Sequence, residues 1–207
     1  MKAVEYRLPQ DLDKSFIVFQ EKATFFPCPW HYHPEYEIVL VNKSFGRRMV
    51  GDHIGYFEEG EIAIIGPMLA HVWVNDPHYL SGKADGLADA TVIHFLDDFL
   101  GKNLAKVPEM ESLKDVLNLS NRGLVINGEA RKKIAEVMSS MLDASGLVRL
   151  SGLFMIFDIL ANTKEYSILA SPGYAEHNQL NTTDRFDKIN TYIINNFDRE
   201  ISLPEIA

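Results

Sequence analysis

The 207-residue sequence has one cysteine, no long apolar run and few basic residues. Cys28 alone cannot form an intrachain disulfide, which is typical of proteins in a reducing compartment. The longest apolar run, Leu153 to Phe157, is far too short to span a bilayer. The first residues lack the apolar core of a secretion signal. Together these absences predict a cytoplasmic protein.

Positive charge is also scarce, since the chain has 20 lysines and arginines but 29 acidic residues, which gives a net charge of −9. A surface that neutralises nucleic-acid phosphates is expected to be basic. The chain as given is therefore predicted not to bind DNA by itself. Its hydrophobic content of 46% is ordinary for a folded globular protein.

The first half of the chain consists of short apolar segments separated by Gly and Pro, a pattern typical of an all-β unit. Gly51-Asp52 separates two such segments and predicts a two-residue hairpin with glycine first. Several short strands broken by Gly and Pro predict a barrel or a sandwich. The predicted strands are 16–19, 37–41, 47–50, 53–57, 61–65, 71–74 and 91–95.

After Phe95 the apolar period changes from two to about 3.6, which predicts helices. One helical stripe has two interpretations: it packs on the β unit, or it contacts a second copy of the chain. We favour a role in dimerisation for part of this stripe. Its residues are Ile134, Val137, Met138 and Met141. Residues 171–183 are polar and contain Pro, Gly and Asn, which is typical of a linker.

Three histidines and a glutamate form the main candidate site. His31, His33 and Glu37 are predicted to share one face of a strand, and His71 comes from another strand. Imidazole and carboxylate groups in this combination suit a divalent transition metal, which is a possible cofactor. The alternative is that the four side chains line a barrel mouth and hydrogen-bond to one another or to a small ligand.

Neighbouring residues extend this site. The aromatic rings of Tyr36 and Trp73 are predicted to line a pocket for a small polar ligand. Of the adjacent Arg47 and Arg48, at most one can point inward from a strand. Cys28 lies close enough to His31 for a Cys–His nucleophile to be considered, although a lone cysteine usually serves packing.

The spacing His-x-His-x3-Glu, followed by Pro-x3-His-x3-Asn at Pro67, His71 and Asn75, resembles the two motifs of the cupin superfamily. The resemblance implies a cupin-type jelly-roll barrel. It also implies that His31, His33, Glu37 and His71 are pocket residues, and metal ligands where a metal is bound.

The end of the chain carries a second resemblance. Ser202 and Glu205 form a capping box at a helix start that the last residue cuts short, so we expect the natural protein to continue. The pattern resembles the entry to the DNA-binding domain of AraC/XylS-type regulators, through Ile189, Tyr192, Ile193, Asn196, Phe197, Ile201, Ser202, Leu203, Ile206 and Ala207.

This resemblance implies a cupin-like effector-binding barrel at 1–100 and a helical dimerisation appendix at 101–170. After the linker at 171–183, residues 184–207 would be a linker helix and the start of a helix-turn-helix domain. The implied partners are a second copy of the chain, a small-molecule effector such as a sugar or an organic acid, and DNA contacted through the remainder of that domain.

Three functions follow from these patterns. The first is a non-enzymatic, ligand-sensing and dimerisation domain of an AraC-type transcription regulator. The second is a metal-dependent cupin enzyme of the dioxygenase or isomerase type. The third is a β unit that binds no ligand and serves only dimerisation. The helical appendix and the capped helix start favour the first.

Overall fold

The computed structural model describes residues 3–6, 13–81, 86–101 and 106–174, together with residues 192, 196, 199 and 202. Most of the region 184–207, where the start of a helix-turn-helix domain is predicted, lies outside the described residues. The predicted domain boundaries therefore stay predictions.

The described chain consists of strands up to residue 95 and mainly of helices after it. The strands are β1 (Val4–Glu5), β2 (Phe16–Ala23), β3 (His31–Tyr32), β4 (Tyr36–Lys43), β5 (Gly46–Val50), β6 (His53–Phe57), β7 (Ile62–Ile65), β8 (His71–Asn75), β9 (Ala88–Phe95), β10 (Leu124–Ile126) and β11 (Tyr166–Ile168). The helices are α1 (Pro77–Leu80), α2 (Glu111–Ser120), α3 (Gly128–Met141) and α4 (Gly146–Asn162).

These strands form two sheets. The five-stranded sheet has the order β1-β3-β8-β5-β6, and the six-stranded sheet has the order β11-β10-β7-β4-β9-β2. The predicted class, strands followed by helices, is confirmed. Closure into a barrel is not found, because none of the described strands is hydrogen-bonded to strands of both sheets. The sheets instead face each other across a shared apolar layer.

Strand β4 lies between two apolar layers, because its side chains point alternately to the two faces of the sheet. Val39 and Val41 point between the sheets, where they pack with Val50 and Phe57 of the opposite sheet. Ile38 and the other residues of the alternate set point the other way, into a larger apolar layer beneath the helices. The order of layers is therefore five-stranded sheet, six-stranded sheet, helices.

The stripe on α3 belongs to the helical layer of the core. Ile134, Met138 and Met141 are at most 1% exposed, and Val137 is partly buried against the same cluster. These residues pack against the sheet and the neighbouring helix, which was the alternative interpretation of the stripe. Ile134, Met138 and Met141 therefore offer no surface to a second copy, and Val137 alone of the stripe keeps some exposed area.

Helix α4 is apolar around most of its circumference. Its inner side is fully buried at Leu153 and Leu160. On its outer side Leu147 is 79% exposed, Val148 70% and Met155 57%. No described helix has both the length and the apolar character needed to cross a membrane.

The β5–β6 hairpin turns at Gly51-Asp52, as predicted, with Gly51 at a φ of +59°. In the preceding strand the two arginines point opposite ways, as the strand period requires. Arg48 is buried, and its Nε donates to Glu61 Oε1 at 2.9 Å. Arg47 is only partly buried and lies over the ring of Tyr56, at 5.3 Å from its centroid.

Candidate functional site

The predicted site residues come together from both sheets. His31 lies on β3 of the five-stranded sheet, where it is paired with His71 of β8. Glu37 lies on β4 of the six-stranded sheet. Residues 33–35 between them are not in a strand, so His33 belongs to the connection that crosses from one sheet to the other. The prediction of one strand face is wrong, although the side chains do converge.

A fourth imidazole, that of His94, completes the cluster and was not among the predicted site residues. His94 lies on β9 directly opposite Glu37 in the antiparallel pairing of β4 and β9. Directly opposed residues share a face of the sheet. The ring centroids of His94 and His33 are 5.0 Å apart. All four histidines and the glutamate are buried.

Backbone carbonyls orient three of the four imidazoles. Nδ1 of His31 lies 2.7 Å from the carbonyl oxygen of Pro29, and Nδ1 of His71 lies 2.8 Å from that of Leu69. Nδ1 of His33 lies 3.1 Å from the carbonyl oxygen of Glu35. A carbonyl can only accept, so each Nδ1 carries a proton. In the neutral ring Nε2 then has a free lone pair.

The carboxylate of Glu37 lies among these Nε2 atoms. Its Oε2 is 3.3 Å from Nε2 of His33, and its Oε1 is 3.5 Å from Nε2 of His71. Nε2 of His94 makes a very short hydrogen bond to Oε2. Burial alone would raise the pKa of Glu37, but the surrounding imidazoles, including the hydrogen bonds from His33 and His94, hold that pKa well below its usual value, so the group is ionised.

Burial lowers the pKa of each of the three predicted histidines, but the net shift differs among them. It lowers the pKa of His71 to about 3, against the opposing effect of Glu37. Burial also lowers the pKa of His31. For His33 burial is outweighed by the hydrogen bond to Glu37 and the charge of that group, so its pKa is raised. His71 is therefore neutral, and of these three histidines His33 takes a proton most readily.

This arrangement suits a metal cation. The free lone pair of His71 Nε2 faces a carboxylate oxygen, and that nitrogen has no hydrogen-bond donor among the described residues. Two acceptors in a buried position are complementary to a positive charge between them. The candidate ligand atoms of His31, His33 and His71 lie within 4.8 Å of one another, and so do those of His33, Glu37 and His94. Anchored Nδ1 atoms are also the usual outer-shell feature of metal-bound histidines.

A cavity of about 460 Å³ lies next to this cluster. His31, Glu37 and His94 contribute to its wall, and the rest is largely apolar. Its principal apolar side chains are Ile17, Val18, Phe19, Phe26, Val39, Trp73, Ala90 and Val92. Cavities of this size and lining bind small molecules of mixed apolar and polar character.

The structure separates the two aromatic residues predicted to line the pocket. Trp73 is in the cavity wall. Tyr36 is not among the lining residues, because it precedes Glu37 on β4 and points to the opposite face. There its ring stacks on Phe95 at 5.1 Å, within the apolar layer under the helices. Tyr36 is therefore a core residue.

Cys28 also lines the cavity, but its thiol is poorly suited to act as a nucleophile. Burial, with smaller contributions from Glu37 and Glu21, raises the pKa of Cys28 to about 11. The thiolate, which is the reactive form, is then scarce at neutral pH. This environment disfavours the Cys–His alternative.

Fold and site together define a two-sheet domain with a ligand-sized cavity beside a buried cluster of four histidines and a glutamate. No protein-family profile matches the sequence, and no curated protein does.

A comparison with solved structures finds chains with a similar backbone trace. ToxT from Vibrio cholerae O395 bound to (E)-4-(8-methylnaphthalen-1-yl)but-3-enoic acid has a TM-score of 0.47 and 13% identity, over 93% of this chain and 70% of that chain. Wild-type ToxT from Vibrio cholerae with an unsaturated fatty acid bound has a TM-score of 0.47 and 12% identity, over 92% and 67%. The AraC-like transcriptional activator CuxR has a TM-score of 0.43 and 11% identity, over 84% and 55%. These similarities are too distant to assign a function.

Proposed function

We propose that the chain is the ligand-sensing and dimerisation part of an AraC-type DNA-binding transcription regulator. The cavity between the sheets carries this proposal. It joins a long apolar wall to a polar cluster, which is the arrangement expected for reversible capture of a small effector. Residues 184–207 support the proposal through their resemblance to the entry of a helix-turn-helix domain. DNA would be contacted through that domain.

The lining predicts an effector with an apolar body and one polar end. Phe19, Phe26 and Trp73 would cover the body, while His31 and His94 would meet the polar end. A purely polar molecule such as a free sugar would leave much of this wall without a matching surface. Organic acids and other amphipathic molecules therefore suit the cavity better than sugars do.

Thermal unfolding in the presence of candidate effectors tests this function. A ligand that binds only the folded state at about 100 times its Kd adds about 2.7 kcal/mol of stability. For a chain of this size we expect a rise in Tm of about 5 to 10 °C. The panel contains sugars, short organic acids and longer amphipathic acids, each with and without Zn²⁺.

A cavity variant gives the control for that experiment. Val92→Phe places extra volume in the cavity and is expected to remove the shift, whereas Ile54→Phe on the outside of the five-stranded sheet is expected to keep it. Indifference of the unmodified protein to the whole panel would contradict the sensing function. Turnover of a bound compound would instead favour the metal-dependent enzyme.

A divalent transition metal is part of the proposal. His31, His33, His71 and Glu37 would hold it, through the Nε2 atoms and a carboxylate oxygen. When bound, such an ion supplies a positive charge that attracts a ligand oxygen. The side chains of His31 and Glu37 line the cavity, so they place that charge beside the effector. The backbone carbonyls of Pro29 and Leu69 keep His31 and His71 in the required orientation.

We also propose that the outer face of α4 contacts a second copy of the chain. Leu147, Val148 and Met155 fall within one arc of the helix and are strongly exposed. Beside them lies a shallow groove lined by Ser151, Phe154, Met155, Asp158 and Ile159. Exposed apolar faces of this kind are typical of interfaces, and an isologous contact would pair the face with itself.

A charge placed on this face is expected to prevent association. We expect Met155→Lys to convert a dimer into a monomer, because two lysines would be brought together in an apolar contact. Sedimentation velocity over a range of concentrations measures the change. Ile54→Lys, on the outside of the five-stranded sheet, is the matched control and should leave the dimer intact. A dimer that survives Met155→Lys unchanged would place the contact elsewhere.

A further inference from the structure

His94 and Glu37 form the closest polar contact in the histidine cluster. Nε2 of His94 donates to Oε2 of Glu37, because an ionised carboxylate can only accept. Nδ1 of His94 is buried without a hydrogen-bond partner among the described residues. With the proton on Nε2, that unpartnered Nδ1 is a bare lone pair rather than a bare N–H group. The geometry therefore assigns the Nε2–H tautomer to this ring.

We propose that His94 is a positioning residue, which holds the Glu37 carboxylate toward His33 and His71 without itself binding the metal. The inference rests on the metal site proposed above. It gives His94, which lies outside the resemblance to the cupin motifs, a role in the affinity of that site. An outer-shell partner of this kind fixes the orientation of a ligand and raises metal affinity.

The separations between atoms distinguish a ligand from a positioning residue. Two ligand atoms that bind one tetrahedral ion at 2.0–2.1 Å lie about 3.3 Å apart. Oε2 of Glu37 lies 3.3 Å from His33 Nε2, and the other carboxylate oxygen, Oε1, lies 3.5 Å from His71 Nε2; both separations agree with this value. The contact between His94 Nε2 and Glu37 Oε2 is shorter than this separation, as expected for a hydrogen bond rather than for two ligands of one ion. It is a hydrogen bond, and its donor nitrogen has no lone pair for a metal.

The fold holds His94 in this position from two sides. The pairing of β4 with β9 places His94 opposite Glu37 on the face that points between the sheets. The ring of Phe19 packs against the imidazole, with 5.5 Å between centroids. Neither contact depends on a bound ion, so the carboxylate is oriented before a metal arrives.

Metal titration of three variants tests the proposal. His94→Phe keeps a ring but removes the donor, His94→Gln keeps a donor, and His71→Phe removes a proposed ligand. We expect His94→Phe to weaken Zn²⁺ binding by about 10- to 100-fold at unchanged 1:1 stoichiometry. His94→Gln should recover most of that loss. Affinity is measured by competition with a chromophoric chelator, and stoichiometry by elemental analysis.

Electron paramagnetic resonance of the Cu²⁺-loaded proteins supplies a readout that a merely structural role would not change. We expect the same number of coordinated nitrogens in the unmodified protein and in both His94 variants, and one fewer in His71→Phe. Loss of a coordinated nitrogen in His94→Phe would make His94 a ligand and overturn the inference. Equal affinities in all His94 variants would overturn it as well. An unmodified protein that binds no metal would overturn the metal site, and this inference with it.

Discussion

In a His71→Phe variant, tight binding of a divalent metal is expected to be lost while the fold is retained. Nε2 of His71 is the best-prepared ligand atom in the cluster, because it is buried, has no hydrogen-bond donor within the described residues and faces the Glu37 carboxylate. Removing it should raise the Kd for Zn²⁺ by more than about 100-fold, the upper end of what loss of an outer-shell partner causes.

The same substitution should change stability little. The low pKa of His71, about 3, means that the ring is neutral at physiological pH, so phenylalanine removes no charge. The lost hydrogen bond to the Leu69 carbonyl should cost about 1 kcal/mol. Urea unfolding without metal measures this cost. His78→Phe, at an exposed position on α1, is the matched control for metal affinity. Affinity equal to that of the unmodified protein in His71→Phe would exclude His71 as a ligand.

Much of the β unit could be predicted from local patterns. Gly51-Asp52 predicts the hairpin because a left-handed residue is needed there, and Gly51 has that conformation. The apolar segments around Val39 and Ile64 are strands because both of their faces are buried, one between the sheets and one under the helices. The short strands β1, β10 and β11 have only two or three residues each, which is too few for a period to be visible.

The composition of the site was predictable, but its construction was not. The residues His31, His33 and Glu37 are close in sequence, and the period of two made one strand the simplest arrangement. The chain instead leaves β3, crosses at His33 and enters the other sheet at Tyr36. A crossing of this kind depends on which strands pair over long range, which local spacing does not encode.

Two features of the site are visible in the sequence alone: the strand face of Tyr36 and the polar residue His94 within an apolar run. Tyr36 is adjacent to Glu37, so the alternation of a strand places it on the opposite face, where it packs on Phe95. His94 interrupts the apolar run Val92-Ile93-His94-Phe95, and a polar residue in a buried strand requires a partner. That partner is Glu37, 57 positions earlier, and only the strand pairing identifies it.

The buried ion pair between Arg48 and Glu61 is expected to contribute strongly to stability. This pair bridges the layers, since Arg48 lies on β5 and Glu61 immediately precedes β7. Both side chains are at most 10% exposed. We expect Arg48→Met to lower the free energy of unfolding by about 3 to 5 kcal/mol, because it leaves a buried carboxylate without its cation. Urea unfolding measures the change.

Replacing both partners should be much less harmful than replacing one. Nη1 of Arg48 is already buried without a hydrogen-bond partner among the described residues, so the pair is not fully compensated. In Arg48→Met/Glu61→Leu both desolvated charges are gone, and we expect most of the lost stability to return. Arg47→Met is the matched control: the same residue type, one position away, on the partly exposed side. It should cost at most about 1 kcal/mol.

The single variant should also acquire a pH dependence with a defined sign. Burial already raises the pKa of Glu61 against the opposing effects of Arg48 and, to a smaller extent, Arg131, and loss of Arg48 removes the larger part of that opposition. A carboxyl group with a raised pKa binds its proton more tightly in the folded state than in the unfolded state. Stability is therefore lost as the pH rises through the folded-state pKa. The deficit of Arg48→Met relative to the double variant should be smaller at about pH 5 than at about pH 8. A deficit independent of pH would show that the lost stability comes from packing around residue 48 rather than from the uncompensated charge.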